Sequence, residues 1–443
     1  MLWPITAGTN AEGHLTIDGV DLVTLAREWG TPLYVYDEAT IRDRSRAYRR
    51  AFAAHYPETE VIYAAKAYLS PALLAILVEE GLGLDVVSGG ELGMALRCGF
   101  PAERIVFHGN NKRPDELRAA LAAGVGRLVV DNALELERLI ALGEGLGIRV
   151  PVVLRLNPGI EAHTHEYRQT GVIDSKFGLP TIDDQAERAV ERALAAPAID
   201  LLGFHAHVGS QIFELAPYRR TVEALFAFAA RVRDRHGFVP RELSPGGGLA
   251  IAYTPDEERE GAALDDLAAT IGGAIRDAAA EHDLPPPRLT VEPGRSIVGP
   301  AGVALYTVGA IKDIPGVRRY ASVDGGMADN IRPALYGAEY TARLANRVAN
   351  PKTPTERVTV AGKGCESGDI LIRDIALPPL APGDLLALPA AGAYCLAMAS
   401  NYNLAPRPAV VFVRDGWPRL VRRRETLDDL LRAEVWPGGE VGA

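Results

Sequence analysis

The chain has 443 residues, of which 48% are hydrophobic and 23% charged, and its formal net charge is -10. This length suffices for two domains, and the acidic balance argues against a nucleic-acid-binding surface. Three cysteines are too few for a disulfide framework, which favours a reducing compartment, namely the cytoplasm. We expect no membrane span and no signal peptide, because no apolar run is long enough and the first ten residues lack the required pattern.

Residues 1–40 form a short N-terminal segment. It contains a predicted helix over 21–29 and a predicted strand over 33–37, which we expect to join a β domain formed by the C-terminal residues. A second helix is predicted over 37–55, with Asp37 as its cap.

Residues 41–299 alternate regularly between hydrophobic strands and helices. Strands that are hydrophobic on both faces and alternate with helices predict a parallel sheet, and eight such units in about 250 residues predict a (β/α)₈ barrel. An open doubly wound sheet is the alternative, but no Gly-x-Gly-x-x-Gly follows the first strand. The eight predicted strands cover residues 61–65, 84–87, 105–108, 128–131, 150–157, 201–208, 242–245 and 289–292.

The pattern changes in residues 300–443, where short β-type runs are separated by turn residues such as Gly325-Gly326. This pattern predicts a second, mostly antiparallel β-barrel domain. Its predicted strands cover residues 304–308, 320–323, 358–360, 369–371, 385–388 and 409–414.

Polar side chains follow the predicted barrel strands, which is where such barrels carry their catalytic groups. Lys66 comes directly after the first strand and precedes a predicted helix with Ser70 as N-cap. A lysine placed there suits Schiff-base chemistry, because desolvation would lower the pKa of its amine and make it nucleophilic. Taken alone, this stretch favours the plainer interpretation of Lys66 as a solvated residue at a strand end.

Gly246, Gly247 and Gly248 follow the seventh predicted strand. Successive glycines let backbone N–H groups gather around an anion, and phosphate sites recur after strands seven and eight of such barrels. The hydroxyl of Ser210 could contribute to the same phosphate site. A flexible turn is the plain alternative for three glycines in a row.

Glu292 ends the eighth predicted strand, where its carboxylate could pair with a protonated ring nitrogen or, alternatively, with Arg295. His207 could lie against the face of the same ring, although an isolated histidine is more often a core residue. A lysine, a phosphate cradle and a partner for a ring nitrogen match the aldehyde, phosphate and pyridinium groups of pyridoxal 5′-phosphate (PLP).

Several motifs, occurring in one order, resemble those of the diaminopimelate decarboxylases, which are fold-type III PLP enzymes. The resemblance covers nearly the whole chain. It is carried by residues 63–67 (YAAKA), 85–92 (DVVSGGEL), 108–112 (HGNNK), 174–178 (DSKFG), 205–212 (HAHVGSQI), 246–248 (GGG), 292–295 (EPGR) and 365–369 (CESGD).

The resemblance implies a role for each matching barrel residue. Lys66 would hold PLP covalently, His207 would lie on the cofactor ring, and Glu292 would pair with the pyridinium nitrogen. The other cofactor-binding residues, mainly around the phosphate, would be Ser210, Gly247, Gly248, Pro293, Gly294 and Arg295.

For the C-terminal part, the resemblance implies substrate binding and a subunit contact. Cys365 would donate a proton, Glu366 would recognise the distal amino group of the substrate, and Tyr394 would touch both cofactor and substrate. The substrate carboxylate would be bound by Arg295, Arg332 and Tyr336. Because Cys365 and Glu366 are expected to complete the site of the partner subunit, a homodimer is implied.

The implied reaction is decarboxylation of meso-2,6-diaminopimelate to L-lysine and carbon dioxide, the last step of lysine biosynthesis. The alternative is a PLP-dependent decarboxylase of ornithine, arginine, carboxynorspermidine or a carrier-bound amino acid, which would share many of the same site residues. The CESGD motif together with Arg332 and Tyr336 favours diaminopimelate. Tyr68, where the family usually has asparagine, and Lys363, where it often has proline, depart from the family pattern.

Two other classes of function remain as alternatives. A metal-dependent barrel hydrolase would use the His-x-His pairs His163/His165 and His205/His207, whose spacing can place two imidazoles on one side of a strand. A non-catalytic PLP carrier would need neither Cys365 nor the C-terminal β domain, so their presence favours an enzyme.

Overall fold

A computed structural model describes residues 1–160, 174–260, 263–347 and 353–435 of the chain. The chain divides into two units. The first, which we call the barrel unit, comprises Arg42–Ile251 and Glu260–Ile297. The second, which we call the β unit, comprises Met1–Ile41, Ala252–Arg259 and Val298–Ala443.

The described strands are, in chain order, β1 (Ala7–Thr9), β2 (Leu15–Ile17), β3 (Val20–Asp21), β4 (Leu33–Asp37), β5 (Thr59–Ala64), β6 (Gly83–Val86), β7 (Ile105–Phe107), β8 (Arg127–Val130), β9 (Val150–Asn157), β10 (Leu179–Pro180), β11 (Ile199–His205), β12 (Glu242–Ser244), β13 (Arg288–Val291), β14 (Gly302–Ile314), β15 (Arg318–Val323), β16 (Arg343–Leu344), β17 (Glu356–Ala361), β18 (Ile370–Leu377), β19 (Leu385–Leu388), β20 (Ala409–Arg414) and β21 (Trp417–Arg422).

The described helices are α1 (Leu22–Trp29), α2 (Glu38–His55), α3 (Pro71–Glu79), α4 (Gly89–Arg97), α5 (Pro114–Ala123), α6 (Ala133–Leu146), α7 (Gln185–Leu194), α8 (Ala216–His236), α9 (Pro255–Glu260), α10 (Leu264–Glu281), α11 (Arg295–Val298), α12 (Arg332–Tyr336) and α13 (Leu427–Leu431). No helix in the described part of the chain is long and apolar enough to cross a membrane.

The barrel unit is a closed parallel barrel, as the alternating pattern predicted. Its strands pair in the order β5, β6, β7, β8, β9, β11, β12 and β13, and β13 pairs with β5 to close the ring. One buried residue from each of four strands forms a cluster, namely Ile62, Val106, Val129 and Val153. Burial of both strand faces explains why these strands are hydrophobic throughout rather than alternating.

The segments after the strands follow the predicted local rules. Ser70 caps α3, because its Oγ accepts a hydrogen bond from the Leu73 backbone N–H at 3.3 Å, and Pro71 occupies the first helical position. After β7, the buried Lys112 ammonium donates to the Gly109 carbonyl at 2.9 Å and to Glu135 at 2.7 Å. Lys112 therefore fixes the turn that follows His108.

The β unit is a mostly antiparallel sheet, in agreement with the prediction of a second β domain. Its main path runs β18-β17-β15-β14-β4-β20-β21, and β19 joins β14 to β16. Two pairings are parallel, β15 with β17 and β4 with β20. The N-terminal strand β4 therefore lies between β14 and β20. Sequence reasoning missed β21, because none of its residues is buried and they form no hydrophobic run.

Candidate active site

Lys66 lies on a single 3₁₀ turn, Ala65–Ala67, directly after β5. The hydroxyl of Tyr63 donates to the Tyr68 carbonyl at 2.8 Å, which holds the segment after the turn against the strand. The Lys66 side chain is exposed in the single chain, so the desolvation of its amine stays a prediction. The 3₁₀ turn directs Lys66 away from the packed interior, whereas its neighbours Ala65 and Ala67 are buried.

The end of β13 lies beside this turn. The Ala64 backbone N–H donates to the Pro293 carbonyl at 3.0 Å, which continues the pairing of β5 with β13. A Cβ on Gly294 would lie only 3.0 Å from the Cβ of Ala64. The Glu-Pro-Gly-Arg motif therefore packs directly against the segment that carries Lys66.

The glycine loop after β12 has no room for side chains. A Cβ on Gly247 would lie 2.0 Å from the Glu292 carbonyl oxygen, and a Cβ on Gly248 would lie 2.3 Å from the Gly209 carbonyl oxygen. Gly248 also has a φ of 110°, which L-residues rarely adopt. These contacts favour a built backbone cradle over a merely flexible turn.

His207 is bound to the same loop. Its Nδ1 accepts a hydrogen bond from the Gly247 backbone N–H at 3.2 Å, so the ring proton of the neutral imidazole is on Nε2. Burial, followed by the positive charges of Lys66 and Arg155, holds the pKa of His207 well below its usual value. The imidazole of this half-buried residue is therefore neutral and fixed in one tautomer.

Arg295 and Ser210 are brought together beside this loop. The Arg295 guanidinium donates to the Ser210 Oγ from Nη2 at 3.0 Å and from Nε at 3.3 Å. The buried Arg295 thus adds a positive charge to the set of groups predicted to hold a phosphate.

Glu292 contacts two histidines. Its Oε2 lies 3.1 Å from His205 Nε2, and its Oε1 lies 3.4 Å from His108 Nε2 and 3.3 Å from Ser244 Oγ. Burial alone would raise the pKa of Glu292, but the two histidines hold it well below its usual value. The Glu292 side chain is therefore a buried carboxylate.

Of the two histidine pairs expected of a metal hydrolase, only His205/His207 lies in the described part of the chain. His205 faces Glu292, whereas His207 faces the glycine loop, so this pair does not converge on one point. His163 and His165 lie outside the described residues.

In the β unit, Arg332 is completely buried and lies on the single-turn helix α12. Its guanidinium carbon lies 4.2 Å from the ring centre of Tyr253, and its Nη1 donates to the Tyr340 hydroxyl. Among the described residues, Nε and Nη2 of Arg332 have no hydrogen-bond partner. Because arginine stays charged, these two buried donors are suited to an anion.

The other predicted β-unit residues are accessible to differing degrees. Tyr336 ends α12, four residues after Arg332, and its hydroxyl lies 3.9 Å from the Met398 sulfur. Tyr394 is half-buried and has a φ of 59°, a backbone conformation that is uncommon for tyrosine. Cys365 and Glu366 are exposed in the loop between β17 and β18.

The loop that carries Cys365 is held by residues to which sequence reasoning assigned no role. The buried Asp369 carboxylate accepts hydrogen bonds from the backbone N–H groups of Met327 at 2.6 Å and Gly364 at 2.7 Å. The Asn403 side-chain oxygen accepts from the Cys365 N–H at 3.1 Å. A signal for Asp369 was present, since it belongs to the CESGD motif, but nothing in the sequence indicates Asn403.

The barrel residues fit PLP. The exposed amine of Lys66, the cradle around Gly247 and the buried carboxylate of Glu292 correspond in chemistry to an aldehyde, a phosphate and a protonated ring nitrogen. The glycine loop is the most specific of these features, because a Cβ at Gly247 would collide with the Glu292 backbone carbonyl.

Comparison with known proteins agrees with this chemistry. Residues 38–299 match the family described as pyridoxal-dependent decarboxylase, pyridoxal binding domain. Diaminopimelate decarboxylase of Bacillus subtilis (strain 168) is 49% identical over 430 residues, which are 97% of each chain. The enzyme of the same name from Halalkalibacterium halodurans is 48% identical, with the same coverage.

Solved structures show the same relationship. Diaminopimelate decarboxylase from M. jannaschii in co-complex with L-lysine has a TM-score of 0.92 and 34% identity, covering 99% of both chains. Lysine/ornithine decarboxylase from Vibrio vulnificus, complexed with putrescine, has a TM-score of 0.76 and 26% identity, covering 92% of this chain and 100% of that one.

Replacing Gly247 by alanine should weaken PLP binding by at least about tenfold, because the new Cβ would push the loop away from the Glu292 carbonyl. Titration of the cofactor-free protein with PLP measures this loss. Gly93→Ala on α4 is the matched control, since nothing lies within 4 Å of its Cβ position, and its affinity should not change. Unchanged affinity of Gly247→Ala would contradict the cradle.

Proposed function

This chain belongs to the diaminopimelate decarboxylases within the pyridoxal-dependent decarboxylase family, and we infer that it converts meso-2,6-diaminopimelate to L-lysine and carbon dioxide. It is a PLP-dependent carbon–carbon lyase. The observation that carries this conclusion is the convergence of Lys66, the Gly247 cradle and the Glu292 carboxylate at neighbouring strand ends of one barrel.

When bound, PLP supplies an electron-accepting ring that stabilises the charge left by the departing carbon dioxide. We propose that Glu292 pairs with the ring nitrogen and keeps it protonated, since a buried carboxylate favours an adjacent positive charge. Lys66 is proposed to attach the cofactor, and neutral His207 to lie against its ring.

We propose that the phosphate is bound by the glycine loop with Gly247 and Gly248 and by the backbone of Gly294 and Arg295, which follow Pro293, together with the side chains of Ser210 and Arg295. The support is the contact between the Arg295 guanidinium and the Ser210 hydroxyl, which places a positive charge and a hydrogen-bond donor side by side.

We propose that Arg332 binds the substrate carboxylate that is not removed, and that Tyr336 and Arg295 also contribute to its binding. The support is the pair of buried donors, Nε and Nη2 of Arg332, that lack partners among the described residues. An arginine fork matches both oxygens of a carboxylate. Tyr394 is proposed to contact both cofactor and substrate.

We further propose a homodimer in which Cys365 donates a proton in the site of the partner subunit and Glu366 binds the distal amino group there. Both side chains are exposed in the single chain, although Asp369 and Asn403 hold their loop firmly. We place the protein in the cytoplasm, because all three cysteines are free and Cys365 must stay reduced to act as an acid.

Carbon dioxide release tests the reaction and its specificity. With PLP added, the purified protein should release carbon dioxide from meso-diaminopimelate but not from L-ornithine, L-arginine or L-lysine. Lys66→Ala should abolish release, whereas Lys312→Ala, which removes an exposed lysine on β14, should leave it unchanged. Release from another amino acid in the panel would agree with PLP-dependent decarboxylation but contradict the proposed substrate.

Replacing Arg332 by lysine should raise KM for meso-diaminopimelate by more than about tenfold, because lysine retains the charge but not the two-pronged donor geometry. Steady-state kinetics measure the change, and thermal unfolding checks that the variant is folded. Arg373→Lys, at an exposed arginine of β18, is the control and should leave KM unchanged. An unaltered KM in a folded Arg332→Lys variant would remove Arg332 from the substrate site.

Mixing two inactive variants tests the shared site. If Cys365 acts in the partner subunit, Lys66→Ala and Cys365→Ala should together regain up to about a quarter of the wild-type activity, because mixed dimers carry one intact site. Dissociation and reassociation of an equimolar mixture, followed by the carbon dioxide assay, measures this recovery. If a mixture that is shown to contain mixed dimers regains no activity, Cys365 acts in the site of its own subunit.

A further inference from the structure

The carboxylate of Glu292 accepts a hydrogen bond on each oxygen, from His205 Nε2 at 3.1 Å (Oε2) and from Ser244 Oγ at 3.3 Å (Oε1). His108 Nε2 lies 3.4 Å from Oε1, at ion-pair distance. All four side chains are buried. The imidazole rings of His108 and His205 meet edge to face, with ring centres 5.0 Å apart. The orientation of the carboxylate is therefore set from two sides.

The two histidines also bear on the charge of Glu292. A carboxyl group in such a buried position favours its neutral form unless donors stabilise the anion. Burial lowers the pKa of His205, so its imidazole is neutral, and its Nε2 proton points at the carboxylate. A neutral donor stabilises the carboxylate without cancelling its charge. The charge thus remains available to a cationic partner.

We propose that His108 and His205 are positioning residues that hold Glu292 as an oriented carboxylate, so that the ring nitrogen of PLP meets an anion rather than a neutral acid. The inference rests on the proposed function, in which Glu292 pairs with that nitrogen. Neither histidine is proposed to touch the substrate or to transfer a proton to it.

The surroundings of the two histidines agree with this role. The turn after His108 is fixed by Lys112, whose ammonium donates to the Gly109 carbonyl at 2.9 Å. Three further groups surround Glu292 and its two histidines: Asp85 lies 3.9 Å from His108, the positive charge of Arg155 acts on Glu292, and the neutral imidazole of His207 lies nearby. Since Arg155 also favours the carboxylate, loss of one histidine should have a partial effect.

The test compares PLP with an analogue in which a C–H group replaces the ring nitrogen. Cofactor-free full-length protein is titrated with each, and the ratio of the two dissociation constants reports the interaction at the nitrogen alone. His205→Leu should reduce the preference for PLP by about tenfold, which corresponds to about one unit in the pKa of the paired group. His205→Gln, which retains an N–H donor, should keep most of the preference for PLP. At His108, the leucine variant should likewise reduce the preference and the glutamine variant should keep most of it.

The outcomes separate this inference from the proposed function. Equal weakening of both ligands in His205→Leu would indicate general damage to the site and overturn the positioning role. A wild-type preference in Glu292→Gln would instead show that Glu292 is not the partner of the nitrogen, which contradicts the proposed function. One equivalent of metal retained by wild-type protein but lost in His108→Leu would also overturn the inference, since donor atoms of His108, His205 and Glu292 lie within 4.8 Å of one another.

Discussion

The pairing of the first barrel strand with the last is the constraint on which the proposed site depends. Val61 of β5 is in register with Val291 of β13, although these residues are far apart in the chain. This register places Ala64 against Pro293 and therefore puts the Lys66 turn beside the Glu-Pro-Gly-Arg segment. Because backbone hydrogen bonds fix the register, the amine and the carboxylate are placed by the sheet and not by flexible loops.

Each unit buries a charge that we propose binds an opposite charge, namely Glu292 in the barrel unit and Arg332 in the β unit. In the barrel unit, the carboxylate of Glu292 accepts hydrogen bonds from the neutral imidazole of His205 and from the Ser244 hydroxyl, which leave its charge intact. In the β unit, the guanidinium of Arg332 is supported by the rings of Tyr253 and Tyr340, which leave two donors without partners among the described residues. An uncompensated buried charge destabilises a fold, and a bound ligand of opposite charge offsets that cost.

The polar residues that follow the hydrophobic strands could be predicted as site residues, because a barrel places the C-terminal ends of its strands on one face. That rule made Lys66, Glu292 and the glycines candidates, and their combination with the motifs favoured a cofactor site. It could not identify the partners of Glu292, since the contact with His108 requires the folded barrel to bring together strands that are not neighbours in the sheet. The exposure of Lys66 was equally hidden, because it depends on a single 3₁₀ turn after the strand.

The sequence by itself determined the two-domain architecture, the PLP chemistry and, through its motifs, the family. These properties depend on hydrophobic periodicity and on residue types at strand ends, which local sequence records. Only the tertiary structure decided that Glu292 pairs with His108 and His205 rather than being assigned to Arg295, and that Arg332 lies between two tyrosines. Such contacts join distant segments, so they follow from strand order and packing rather than from any one stretch of sequence.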